Sequence, residues 1–278
     1  HQMILRRRGR DASRRGWQSV VVTFSLHPSW VVNPSLKTPH LTSLPHKLEL
    51  LEKAGIDLCC VIDFNRAFAG MDAERFVREV LVKKIGAAAL YIGEDFVFGR
   101  RTEGNKRSLA SWARVYGFKL VVLRHLKIGS RVVSSTSIRS FIKRGCLDDA
   151  RRSLGRPVSL RGEVIHGEGR GRSLGYPTAN IRPHHEVIAP DGVYAARVVI
   201  GRRLVSGIAY IGTKPTFHRR PRSRSIEVFI FRSGQRLYGR SIEIRFLRRI
   251  RPDRKFPTRA ALIAQIQKDV ACAKRSIA

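Results

Sequence analysis

The sequence is short of acid. Its 278 residues carry 21 Asp and Glu against 54 Lys and Arg, a formal net charge of +33. A reaction that needs a carboxylate therefore has few candidates in this chain. Long apolar runs are missing too. None approaches the roughly 18 residues that cross a bilayer as a helix, and no secretory signal is visible, so the chain reads as cytoplasmic. The four cysteines, Cys59, Cys60, Cys146 and Cys272, have the spacing of neither a zinc knuckle nor a redox pair. They read as buried free thiols of a reducing compartment. Aromatic residues are not interleaved with basic clusters such as Arg6-Arg7-Arg8, Arg219-Arg220 and Arg248-Arg249, which argues against a single-strand binder. The charge still predicts attraction to polyanions. It reads as solvated basic faces, with nonspecific RNA binding through the basic surface as the sharper alternative.

What is there is a folded chain. Hydrophobic residues make up 43 %, enough at this length for two domains with cores of their own. In the first half, Ser19 to Phe24 is a continuous β-branched run typical of a buried parallel strand. Strand-like runs at Leu58 to Ile62, Ala87 to Ile92 and Phe118 to Leu123 alternate with helical patterns at Pro45 to Ala54, Asp72 to Lys84 and Lys106 to Tyr116. That alternation predicts an α/β layer on a parallel sheet, whose ligands sit beyond the carboxyl ends of the strands. His27, Gly93 and Asp95 fall at such ends. Ser134, Thr136 and Arg139 form a second candidate anion site, with hydroxyls at a helix start and an arginine one turn in.

After two short helices that end near Gly155-Arg156-Pro157, the period changes. Val158 to His166, Gly192 to Ile200, Leu204 to Ile211, Ser225 to Phe231 and Ser241 to Leu247 read as strands of a small antiparallel barrel. Thr258 opens a terminal helix whose Leu262, Ile266, Val270 and Ala273 would cover the barrel. The expected organisation is 1–150 and 151–278.

The most informative stretch is Leu160 to Ile181. Gly167, Gly169, Gly171 and Gly175 lie within nine residues, with Arg170 and Arg172 among them. Glycines let backbone N–H groups approach a phosphate. No Gly-Lys-Ser/Thr follows, so this is not a Walker loop, and Pro177 argues against the long helix of a dinucleotide fingerprint. Thr178 and Asn180 offer two neutral oxygens on one side of an extended segment, which suits Mg²⁺. In Ser225 to Phe231, alternation puts Glu227 on one face with Phe229 and Phe231. A carboxylate that shares a face with two phenylalanines is unusual.

These residues carry a resemblance. H-G-x-G-R-G-x-x-L-G-Y-P-T-A-N at His166 to Asn180 is similar to the signature of riboflavin kinases, and Gly212 to Phe217 to their G-T-x-P-T-F loop. Upstream, V-T-F-x-x-H-P, L-T-x-L-x-x-K, I-G-E-D-F-x-F-G and S-S-T-x-I-R resemble, in order, the FMN adenylyltransferase domain of bacterial bifunctional FAD synthetases. The resemblance implies a Rossmann-like nucleotidyltransferase domain over 1–150, then a β-barrel riboflavin kinase domain over 151–278 with a C-terminal helix. It implies ATP, riboflavin and FMN as substrates, Mg²⁺ as cofactor and Glu227 as the general base. Thr178 and Asn180 would be the metal ligands, and the glycine-loop residues would bind ATP. His1, His27, Gly93, Asp95, Ser134, Thr136 and Arg139 would serve the adenylyl transfer. His1-Gln2 is similar to the end of the family's opening motif. A chain truncated at its start, with little adenylyl transfer, is therefore the expectation. The alternative is a basic, degenerate paralogue that binds RNA or a ribosome without catalysis.

Overall fold

The computed structural model describes residues 2–35, 38–167, 169–184, 187–213, 224–231 and 237–277. The chain divides into two compact units, one of His1–Thr38 with Leu44–Val133, the other of Pro39–Ser43 with Ser134–Ala278.

The first unit opens with α1 (Gln2–Arg15), β1 (Val20–Phe24) and α2 (Pro28–Val32). Then come α3 (Leu44–Lys53), β2 (Leu58–Ile62), α4 (Arg66–Ala69) and α5 (Ala73–Arg75). Helix α5 runs on as a wider π-type segment, Phe76–Lys84, before β3 (Ala89–Gly93), α6 (Lys106–Tyr116) and β4 (Lys119–Leu123). A small hairpin follows, β5 (Lys127–Ile128) with β6 (Arg131–Val132). Strand β1 pairs in parallel with β2, and β3 with β4, so among the described residues the parallel sheet is two separate ladders. Each crossover carries helix, as parallel pairing requires. Helix starts follow local chemistry. The Asp72 carboxylate accepts from the Arg75 N–H at 2.7 Å, and Asn105 caps α6. The core gathers Val77, Leu81, Ile92, Leu109 and Phe118. Strand β1 is half-buried along its length, not fully buried as its β-branched run suggests.

The second unit begins with α7 (Ser135–Arg144) and α8 (Leu147–Leu154). The barrel strands are β7 (Val158–Ile165), β8 (Thr178–Pro183), β9 (Gly192–Ile200), β10 (Arg203–Thr213), β11 (Arg224–Ile230) and β12 (Ser241–Pro252). A one-turn helix, α9 (Arg170–Ser173), interrupts the glycine-rich loop. The barrel closes in the order β10-β11-β8-β7-β12-β9, antiparallel throughout. Val198, Ile211, Ile226, Ile242 and Ile244 are all within 1 % of complete burial and fill it. Helix α10 (Arg259–Ile277) starts at Thr258, whose hydroxyl accepts from the Ala261 N–H at 3.1 Å. Its Ala273 and Ile277, with Val270 beside them, lie on Val193, Ala195 and Ile208, the outward side chains of β9 and β10. Buried Asp269 on α10 is held by Arg251 of β12 at 2.9 Å, so that charge is paired. The four thiols are free and half-buried, not buried; Cys59 and Cys60 lie on β2 of a two-stranded ladder, where Leu58 and Val61 are exposed.

Truncating Ile244 to alanine should destabilise the barrel by about 2–5 kcal/mol through lost burial and the cavity left behind. Urea denaturation followed by circular dichroism reads this out, and an unchanged midpoint would mean Ile244 is not a packing residue.

Candidate active site

The site is built on β8 and β11, which lie side by side. Asn180 faces Glu227 and Thr178 faces Phe229 across the ladder. In β11, Ile226, Val228 and Ile230 are buried and Glu227 and Phe229 turn outward, as alternation demands. The Thr178 hydroxyl donates to Glu227 Oε2 at 3.1 Å, and the Ser225 hydroxyl donates to Oε1 at 3.2 Å. Both carboxylate oxygens are therefore oriented. Phe229 meets Tyr176 edge-to-face at 5.3 Å and Phe231 at 5.8 Å, an aromatic border next to the acid.

The glycine loop wraps this pair closely. A Cβ at Gly167 would overlap the Asn180 side-chain amide. One at Gly171 would run into the Tyr176 carbonyl and sit 2.9 Å from Thr178 Oγ1. Gly169 and Gly175 flank α9 in left-handed conformations, with φ of 71° and 83°. Arg170 and Arg172 lie exposed on the intervening turn. From the other side, Arg259 at the start of α10 donates to the Ser173 carbonyl.

The donor set fits a hard cation that shares its shell with phosphates. Thr178 and Asn180 bring neutral oxygens to the glycine cradle. Among the described residues, no three His, Cys, Asp or Glu side chains gather into a metal cage. Mg²⁺ bound by few protein ligands and completed by water and nucleotide oxygens matches that arrangement.

Two neighbours escaped the sequence reading. Ser225 is two residues before Glu227 on the same strand face, and alternation alone could have found it. Tyr210 is the Cα partner of Glu227 on β10, and only the strand register reveals it. Burial, with a hydrogen bond to Asp253 and the Glu227 charge adding to it, pushes the Tyr210 phenol up to about 12.

The other candidates are spread over both units. In the first, His27 caps α2, its Nδ1 accepting from the Ser29 N–H at 3.2 Å. Gly93 ends β3 with open space where a Cβ would be. Asp95 meets His125 Nε2 at 2.5 Å, and the His125 N–H donates to Glu94 at 2.7 Å. His125 is a third residue the sequence reading missed. In the second unit, the Ser134 hydroxyl caps α7 by accepting from the Ser137 N–H at 3.1 Å, and Thr136 sits in the first turn of that helix. Arg139 Nε donates to the Pro39 carbonyl at 2.9 Å, and burial lowers its pKa. His1 and Lys214 to Phe217 lie outside the described residues.

Two family models match the chain, FAD synthetase over residues 1–137 and riboflavin kinase over residues 154–277. The bifunctional riboflavin kinase/FMN adenylyltransferase of Listeria monocytogenes is 35 % identical over 271 residues, covering 97 % of this chain and 85 % of that one. Its counterpart from Buchnera aphidicola is 32 % identical over 278 residues, covering 99 % and 89 %. A Streptococcus pneumoniae structure described as a macrolide-efflux protein superposes with a TM-score of 0.85 at 28 % identity, over 99 % of this chain and 89 % of that one. The efflux description is that protein's own. Among the described residues, no helix is long and apolar enough to cross a membrane. Both halves match enzyme families, so the non-catalytic RNA-binding alternative is without support. With identity spread over nearly its whole length and both models matched in order, the chain belongs to the bifunctional riboflavin kinase/FMN adenylyltransferase family.

Proposed function

We propose that the barrel domain, residues 151–278, phosphorylates riboflavin to FMN with ATP, and that residues 1–150 adenylylate FMN to FAD. Glu227 is the general base of the first reaction. It takes the proton of the terminal ribityl hydroxyl as that oxygen bonds to the γ-phosphorus of ATP. The bond from γ-phosphorus to the bridging oxygen breaks, and ADP leaves. An alcohol is a weak nucleophile, so a carboxylate poised to accept its proton lowers the barrier. Mg²⁺, when bound, neutralises the charge on the phosphate oxygens. Thr178 can serve both partners at once: its hydrogen is donated to Glu227, which leaves its lone pairs for the cation beside Asn180. Gly167, Gly169, Gly171 and Gly175 let the loop backbone reach the phosphates, and Arg170 and Arg172 add positive charge. The observation that carries this reading is the hydrogen bond from Thr178 to Glu227, with Asn180 opposite, under the glycine cradle.

For adenylyl transfer, the phosphate of FMN attacks the α-phosphorus of ATP and pyrophosphate leaves. His27, Gly93 and Asp95, together with Ser134, Thr136 and Arg139, are assigned to nucleotide binding on their family resemblance. The cytoplasm is the compartment for both reactions. The +33 charge would draw RNA only nonspecifically, through an attraction that weakens steeply with salt.

Glu227→Gln should lower kcat for riboflavin phosphorylation by about 10²–10⁴ while the fold persists. FMN formation by the purified chain measures it, and parental turnover in the variant would remove Glu227 as the base. Gly167→Ala should raise KM for ATP by roughly an order of magnitude, since its methyl displaces the Asn180 amide. An unchanged KM would mean the cradle does not hold the nucleotide.

A further inference from the structure

Asp191 has no part in the chemistry above, yet the chain around it is held unusually firmly. It stands just before β9. Its backbone carbonyl accepts from Arg249 Nη2. The next residue, Gly192, lies so close to β12 that a Cβ there would sit 2.5 Å from the Arg251 carbonyl oxygen and 2.9 Å from Arg249 Nε. The backbone at Asp191 is thus seated against β12 with little room to shift.

From that fixed point, the carboxylate reaches two residues that face each other at the end of the β10–β11 ladder, Thr213 and Arg224. Thr213 Oγ1 donates to Asp191 Oδ2 at 3.0 Å, and Arg224 Nε donates to Oδ1 at 2.9 Å. Arg224 Nη2 also donates to the carbonyl of Ala189, two residues before Asp191. The residue after Arg224 is Ser225, whose hydroxyl holds Glu227 Oε1. One line of contacts therefore runs from β12 through Asp191 and Arg224 to the carboxylate oxygen.

We propose that Asp191 is a positioning residue for phosphoryl transfer: it locks the Thr213–Arg224 end of the ladder and so fixes the place from which Ser225 orients Glu227. The inference rests on Glu227 being the base. It predicts a loss in turnover with little change in nucleotide affinity, because the contacts lead to the acid and not to the glycine cradle. Small misplacements of a reacting group cost up to about a hundredfold in rate.

The test compares Asp191→Asn in the parent and in the Glu227→Gln background, with Arg224→Gln as a second way to break the same ion pair. In the parent, Asp191→Asn should lower kcat for riboflavin phosphorylation roughly tenfold and leave KM for ATP unchanged. In the Glu227→Gln background it should lower the residual rate no further. Thermal melting of each variant normalises the rates to folded protein. If Asp191→Asn folds poorly, Arg224→Gln carries the same comparison. Parental kcat in both Asp191→Asn and Arg224→Gln overturns the inference, as does an equal loss with and without Glu227. Parental turnover in Glu227→Gln itself would instead sink the base assignment, a result distinct from either.

Discussion

The arrangement depends on period-two alternation in a strand that has no free edge. Strand β11 is paired on both sides, with β10 and with β8, inside a closed barrel. Ile226, Val228 and Ile230 are nearly inaccessible and hold the strand in register. Every second residue must then point out, which delivers Glu227 and Phe229 to one surface. A slip of one residue would drive the carboxylate into the apolar interior and expose three isoleucine and valine side chains, so the register is strongly determined. Because β8 is the next strand, the same constraint sets Thr178 and Asn180 beside the acid.

Scarcity of acid makes the placement of each carboxylate informative. Arg251 grips Asp269 under α10, Arg224 grips Asp191, Arg245 holds Glu243 and Arg182 holds Glu163. Asp269 ties helix to strand and Glu163 ties strand to strand, while the Arg245–Glu243 pair lies within β12. Glu227 accepts from hydroxyl donors at two neighbouring positions, one to each carboxylate oxygen. A carboxylate oriented by hydroxyls keeps a geometry that a further alcohol can join. Tyr210 is held in its neutral form by burial and nearby carboxylates, and it adds an apolar ring on the adjoining strand without a competing charge.

Much of this was legible in the residues. The β-branched runs located β2, β9, β10 and β11 to within a residue or two, because their periodicity is strong and turn residues bound them. Alternation placed Glu227 with Phe229, and glycine spacing marked the cradle. Strand β8 was harder to see. Its Thr-Ala-Asn-Ile-Arg-Pro run has little β propensity, and pairing with β7 and β11 makes it a strand. The short helices α2, α4 and α9 also went unread, since elements of four or five residues carry too little periodicity. Pairwise meetings such as His125 with Asp95, or Asp191 with Thr213 and Arg224, join distant positions and leave no local trace. The contact of Arg139 Nε with the Pro39 carbonyl is another such meeting of distant positions, and its place one turn into a helix does not announce it.

Strand β12 is the longest in the barrel and pairs with both β7 and β9, bending through two register shifts near Phe246–Arg248 and Arg249–Arg251. Among the described residues, it is the one strand that lies between those two on its side of the ring. During synthesis, β7 through β11 can emerge from the ribosome and pair in part, but the cylinder stays open until residues up to 252 have left the exit tunnel. The ladders of the first unit lie within residues 20–123 and wait for nothing downstream. Nascent chains of this protein should thus carry a settled amino-terminal unit and an exposed, half-zipped sheet through most of the second half of translation.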